Sequence, residues 1–237
     1  MRPIRQIEGP LRPLAAISVY SVAMAYLESS VVIYLRRIAF GNPAQVFPLR
    51  YAEPGLGGIE LIREVATIIM LLAVGYLAGK NLLQKGAYFI YSFAIWDLFY
   101  YLFLAMLVGW PTSLFDFDVL FLIPVVWISP VLCPILISLL LVSASLVVIF
   151  IADRSAHLRV GSFNLIAFVF GALVDFYSFT EQIFRILLTQ GSKGLIGFTP
   201  VSFDWLLFTL GFLLMSYSAE RIIKSSRRKM KSELIAK

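Results

Sequence analysis

Apolar runs of about twenty residues recur along this chain, and no other feature constrains its fold as strongly. An α-helix rises 1.5 Å per residue, so a run of roughly 20 residues matches the hydrocarbon thickness of a bilayer. Such runs fall at residues 14–35, 59–78, 87–108, 130–151, 162–188 and 204–219, about six passages in 237 residues. Backbone inside lipid must satisfy its own hydrogen bonds, which a helix does within one segment. The expected fold is therefore all-α, a polytopic transmembrane helical bundle in a single membrane domain with no soluble catalytic module. Composition agrees, with 60% of residues hydrophobic and 14% charged, against roughly 25% charged in soluble domains.

The first run raises the question of a cleaved leader, because Arg2, Arg5 and Arg12 precede it and Ala23-Met24-Ala25 mimics a cleavage site. Apolar sequence resumes beyond Glu28 with Val31-Val32-Ile33-Tyr34-Leu35, so a full span is expected instead. A segment of the chain rich in prolines follows. Residues 36–58 carry Pro43, Pro48 and Pro54 and read as an ordered loop. Residues 119–151 as one helix would be about 50 Å long, more than a bilayer needs. Pro124, Pro130 and Pro134 break this stretch. The expectation is a half-inserted or interfacial helix at 118–127 followed by a span, or else one kinked span. Asp116 and Asp118 read as helix caps, and Trp110, Trp127 and Trp205 fit an interfacial belt.

Charge sets the orientation. Seven of the twenty basic residues lie in the tail at 221–237, which fits a juxtamembrane segment near anionic headgroups and not a nucleic-acid site. With both termini cytoplasmic, 14 of the 20 basic residues fall inside, as the positive-inside rule requires. Arg36-Arg37 then sit on the outer side, against the trend. The expected location is the cell (inner or plasma) membrane, multi-pass, N-in and C-in. The single cysteine, Cys133, forms no internal disulfide and reads as packing. The single histidine, His157, excludes His-rich metal sites and reads as solvated.

Ionisable residues within the spans carry the functional information, because each costs about 2.5–3.5 kcal/mol at a span centre unless paired or hydrated. Glu60, Arg63 and Glu64 share one face of the second span, and Thr67 continues it. Glu28 lies in the first span below Ser18, Ser21 and Ala25, and Asp97 lies near the middle of the third beside Tyr100. In the fifth, Asn164, Phe168, Gly171, Asp175, Ser178, Gln182 and Arg185 recur at steps of three and four. These placements predict an outward-opening polar cavity lined by spans one, two, three and five. Each group also has a purely structural reading, as an intrahelical pair or a packing bond between helices.

The segment Ile95-Trp96-Asp97-Leu98-Phe99-Tyr100-Tyr101 is followed by Gly109-Trp110-Pro111-Thr112-Ser113-Leu114 and by Leu120-Phe121-Leu122-Ile123-Pro124. With Trp127 and Pro130 after them, these motifs resemble an uncharacterised family of bacterial multi-spanning membrane proteins. Arg63-Glu64-Val65-Ala66-Thr67 and Tyr26-Leu27-Glu28-Ser29 extend the likeness toward the N-terminus. The chain departs from the pattern at Phe117 and Val126, where a tryptophan and a proline would stand. The resemblance implies a membrane fold and carries no activity.

Three functions stay open on these residues. In the first, Glu28, Asp97 and Asp175 bind a proton or cation while Arg63 or Arg185 orients an anionic group, as in transporters with broken helices. In the second, an enzyme acts on a lipid or isoprenoid, with Glu28, Glu60, Glu64 and Asp97 as hard ligands for Mg or Mn or as acid and base. In the third, the charges pair with a partner's spans in a homo-oligomer or membrane complex.

Overall fold

The computed structural model describes residues 9–50, 55–154 and 161–235. Arg2, Arg5, Pro54, His157 and Arg159 lie outside them, as do the last two residues of the basic tail. Six helices follow in order: α1 (Leu11–Phe40), α2 (Leu56–Ala78), α3 (Leu82–Val108), α4 (Leu132–Arg154), α5 (Ser162–Gln190) and α6 (Trp205–Ile235). All six contain a stretch long and apolar enough to cross a membrane, so this is a multi-pass membrane protein. Several helices outrun their apolar windows. α1 continues to a left-handed Gly41 at φ 73°, and α3 starts a turn early because the Asn81 side chain accepts from the Gln84 N–H at 2.9 Å.

α3 is the axis. α1, α2 and α4 all pack along it, while α5 pairs with α6; α6 packs on α4 and α5 on the segment before α4. In lipid no hydrophobic force draws helices together, so close packing and polar contacts must do so. Both are present. A Cβ at Gly75 would lie 2.6 Å from the Phe89 backbone nitrogen, so α2 and α3 approach at that glycine. α1 and α3 are joined by hydroxyls, with Ser21 donating to Ser92 at 3.1 Å and Ser29 donating to the Tyr100 carbonyl at 3.2 Å. Leu14, Ile17, Tyr88, Tyr91 and Ile149 form the apolar core at one end, and Tyr101, Leu104, Trp110 and Val131 that at the other. Val19, Leu77 and Leu206 point outward, consistent with a lipid-facing surface.

The segment between α3 and α4 is neither the expected half-inserted helix nor one kinked span. It is an antiparallel hairpin of β1 (Phe117–Phe121) and β2 (Trp127–Pro130), pairing Asp118 with Ser129 and Val119 with Ile128, with a bulge before Phe121. Two bonds continue the ladder beyond the strands, Val131 N–H to the Asp116 carbonyl at 2.9 Å and Leu132 N–H to the Leu114 carbonyl at 2.8 Å. The physical reason lies in Val119-Leu120-Phe121-Leu122-Ile123, apolar at every position, and Pro124, which cannot donate within a helix. A short run apolar at every position suits a strand packed on both faces, and here its side chains are half-buried. Phe121 stacks on Phe93 and leans against Trp96 at a tilt, and Trp127 meets Phe176 of α5 edge-on. Phe93 lies roughly 20 Å back along α3 from its C-terminus, so the hairpin re-enters the bundle deeply. Non-helical backbone is tolerated there because protein surrounds it.

The hairpin changes two other expectations. Asp118 does not cap a helix but is fully buried against α1, and Trp110 is buried beneath Arg36, not set in a belt. Asp116 caps no helix either; its carboxylate closes the turn after α3 by accepting from the Thr112 and Ser113 N–H groups. The described part of the 36–58 loop is ordered as expected, tied to the α5–α6 loop by bonds between Leu49 and both Gly197 and Phe198.

Candidate functional site

At the end of the bundle where α1 finishes and α2 begins, three helices and the hairpin enclose a hollow of about 220 Å³. α1 contributes Glu28 and Arg36, α2 contributes Glu60, Arg63 and Glu64, and α3 contributes Trp96, Asp97, Tyr100 and Tyr101. Asp118 and Leu122 of the hairpin and Leu49 and Arg50 of the α1–α2 loop complete it. Six of the eight residues singled out in the sequence thus border one chamber: Glu28, Glu60, Arg63, Glu64, Asp97 and Tyr100.

The chamber is organised by two arginines. Arg63 grips Glu60 in a bidentate fork, Nη2 to Oε1 at 2.6 Å and Nε to Oε2 at 2.9 Å, and its Nη1 pairs with Glu28 across the gap to α1. The i,i+3 spacing of Glu60 and Arg63 makes the fork geometrically available within one helix, and Glu28 turns it into an interhelical tie. Arg36 donates through Nη2 to Asp118 Oδ1 at 2.7 Å, while its guanidinium lies 4.1 Å from the centroid of Trp110. Asp118 also accepts from its neighbour's Val119 N–H at 2.9 Å and from the Tyr100 hydroxyl at 3.4 Å. Burial holds the Asp118 carboxyl above the ordinary aspartate range, and the Arg36 charge draws it partway back.

The other two acids are partnered by neutral groups. Both Glu64 oxygens lie within reach of the Leu122 N–H, at 3.0 and 3.2 Å, so this carboxylate closes the ladder of the hairpin's free edge. Asp97 accepts from Ser138 of α4 at 2.8 Å through Oδ2. A Glu64→Gln variant keeps an acceptor for Leu122 and is expected to cost about 1 kcal/mol or less. Glu64→Leu leaves the half-buried Leu122 N–H without its acceptor and is expected to cost about 1–3 kcal/mol. Thermal unfolding of both purified variants separates the two.

Span five does not line the chamber; the hairpin takes its place as the fourth wall. Asp175 is buried elsewhere, between α5 and α6 beside Gly211, and Arg185 is exposed and pairs with Glu181 at 3.4 Å. Within the polar stripe of α5, Gly171 and Asp175 instead meet α6, and Ser178 donates to the Asp175 carbonyl of its own helix. Sequence reasoning missed Arg36, Trp96, Tyr101 and Asp118. A signal for Arg36 existed, since Arg36-Arg37 ran against the charge asymmetry expected of the loops.

Among the described residues, no group of three or more His, Cys, Asp or Glu is placed to hold a metal ion. Arg63 occupies oxygens of Glu28 and Glu60, and Leu122 those of Glu64, so the carboxylates converge on donors already in the protein. A second hollow of about 440 Å³ adjoins the first, sharing Arg36, Arg50, Glu60 and Leu122 with it. Its remaining lining is mostly aliphatic. Compared with family models, with curated proteins and with solved structures, the chain matches none.

Proposed function

We propose that the protein binds a small cationic or zwitterionic solute in the chamber and passes it across the membrane. The observation that carries this reading is the charge balance of one hollow. Five carboxylates, Glu28, Glu60, Glu64, Asp97 and Asp118, face three guanidiniums, those of Arg36, Arg50 and Arg63. A formal excess of two negative charges in a low-dielectric hollow attracts a positive ligand and repels an anion. The broken segment beside it also supports the reading, because irregular backbone at depth is a recurring feature of translocation sites. Asp97 is the residue we assign to the ligand's cationic group. It is held from one side only, by Ser138, and no cation among the described residues pairs with it.

The test uses proteoliposomes and radiolabelled ethylammonium as the simplest probe. Wild type is expected to take it up above empty vesicles. Asp97→Asn, which keeps the Ser138 bond, is expected to lower uptake more than tenfold. Uptake unchanged in the variant would remove Asp97 from the role, and uptake absent from wild type would remove ethylammonium-sized cations as the cargo.

We place the protein in the cell membrane with both termini cytoplasmic, so that the chamber opens outward. The basic tail and the positive-inside count support this orientation. Val201 stands highly exposed in the α5–α6 loop at the chamber's end of the bundle. Val201→Cys is therefore expected to react with a membrane-impermeant maleimide added to intact cells, while the buried Cys133 does not. Labelling only after lysis would invert the assignment.

A further inference from the structure

The two ends of the bundle are packed differently. At the chamber end, Cys133 and Ile137 of α4 share a cluster with Phe179 of α5 and Phe208 of α6. At the other end the core around Tyr88, Tyr91 and Ile149 draws only on α1 to α4, and among the described residues α5 and α6 add nothing to it. The space they leave is a hollow of about 510 Å³ bordered by four helices. Gly86 and Ile90 of α3, Ala144 of α4, Phe168 of α5 and Ile222 and Ile223 of α6 are among its walls. From Leu82 to Ile90 it follows α3 for about 12 Å, reaching the helix's first turn and so the end of the bundle.

This hollow suits hydrocarbon and little else. Its one polar side chain is Ser145, whose hydroxyl donates to the Val142 carbonyl of its own helix at 3.1 Å. A Cβ added at Gly86 would meet nothing within 4 Å, so the space is open down to the α3 backbone. A water molecule needs two to four polar partners and finds none here. Left empty, the gap would cost every side chain around it its contacts on that side. Inside a bilayer the hydrocarbon at hand is an acyl chain.

Charge at the mouth selects the head. α6 runs on for about three turns beyond Ile223, to Ile235. Residues 221–237 carry seven basic residues against one acid, Glu233. Arg227 follows Ile223 by four positions and Lys229 follows Ile222 by seven, so both stand on the face of α6 that borders the hollow, one and two turns further out. The acids Asp153 and Glu220 at this end are already paired, with Lys80 at 2.6 Å and with Lys224.

We infer that this cleft holds an acyl chain of an anionic phospholipid whose head lies against Arg227 and Lys229. The lipid fills the gap between the α3–α4 and α5–α6 pairs and is a structural part of the bundle at this end. The site is separate from the chamber and does not depend on what the chamber binds.

The test is native mass spectrometry of the delipidated full-length protein, titrated with dioleoylphosphatidylglycerol, dioleoylphosphatidylcholine and glycerophosphoglycerol, the last being the anionic head alone. Phosphatidylglycerol is expected to bind about tenfold more tightly than either of the others. Gly86→Leu fills the open space on α3 and is expected to weaken phosphatidylglycerol about tenfold, as is Arg227→Gln with Lys229→Gln. Arg221→Gln with Arg228→Gln removes the same charge from the opposite face of α6 and is expected to change binding less than about twofold. Phosphatidylglycerol with a diazirine at mid-chain reads the location in the unmodified protein, with adducts expected on residues 82–90, 141–148 and 219–223.

Equal affinity for the two lipids overturns the anionic head. Equal losses in the two double variants mean general attraction to the tail and overturn the head site on α6. Binding unmoved by Gly86→Leu, or adducts scattered over the outer faces of α1 and α2, overturns the cleft. Binding of neither lipid overturns the whole inference.

Discussion

Arg36→Met is expected to lower the stability of the purified protein by about 3–5 kcal/mol at neutral pH, because it leaves Asp118 charged, fully buried and without its cation. The pair is among the most enclosed in the molecule, with Asp118 at 0% and Arg36 at 8% side-chain exposure. Methionine keeps the volume and the contact with Trp110, so the loss measures charge and not packing. The effect depends on pH with a definite sign. Burial already raises the Asp118 carboxyl, and removing Arg36 removes the charge that draws it back. A carboxyl whose folded value exceeds its unfolded one favours the fold below the unfolded value and loses that contribution as pH rises through the folded value. The deficit of Arg36→Met is therefore expected to be largest near about pH 8 and smallest near about pH 4, close to the unfolded aspartate value. Thermal unfolding across that range reads it, and adding Asp118→Asn is expected to recover most of the loss. A deficit independent of pH, or no recovery, would mean that the arginine acts through packing.

Gly211→Leu is expected to be comparably damaging, at about 3 kcal/mol, through steric overpacking. α5 and α6 cross where Gly171 faces Gly211, and a Cβ at 211 would lie 2.8 Å from both the Gly171 carbonyl oxygen and the Asp175 Cγ. The carbonyl belongs to a helix and cannot rotate away, so the two helices must separate. Gly86→Ala serves as the control. That glycine lies within α3, and a Cβ there would meet no described atom within 4 Å. Alanine at 86 is expected to be neutral or stabilising by up to about 1 kcal/mol. Equal melting temperatures for the two variants would show that the crossing tolerates a wider spacing.

The helices were legible in the sequence because lipid imposes a length and a composition on anything that spans it, and both survive without knowledge of packing. Their ends were less so. α3 gains a turn from the Asn81 cap and α6 runs on to Ile235 through a basic stretch that hydropathy excludes. The hairpin was illegible for a specific reason. Val119 to Ile123 alternates nothing, and periodicity cannot separate a short, uniformly apolar strand from a turn of helix. The site was half legible. Glu60, Arg63 and Glu64 could be grouped because they share one helix face, whereas the ion pair of Arg36 with Asp118 joins residues far apart in the chain. The stripe on α5 was real but misassigned, since a small-and-polar face packs a neighbouring helix as readily as it lines a cavity.

The re-entrant hairpin has a consequence for how the protein is made. An unpaired strand edge has no stable place in hydrocarbon, so this segment cannot be released sideways into lipid as a helix can. The helical partners of β1 and of the residue after it have already been synthesised when the strand emerges: Arg36 on α1, Glu64 on α2, and Phe93 and Trp96 on α3. What receives Trp127 of β2 is Phe176, which is still to come. Biogenesis is thereby given a direction. The first three helices form a nest that captures one strand, and the last hairpin of helices arrives to seal the other.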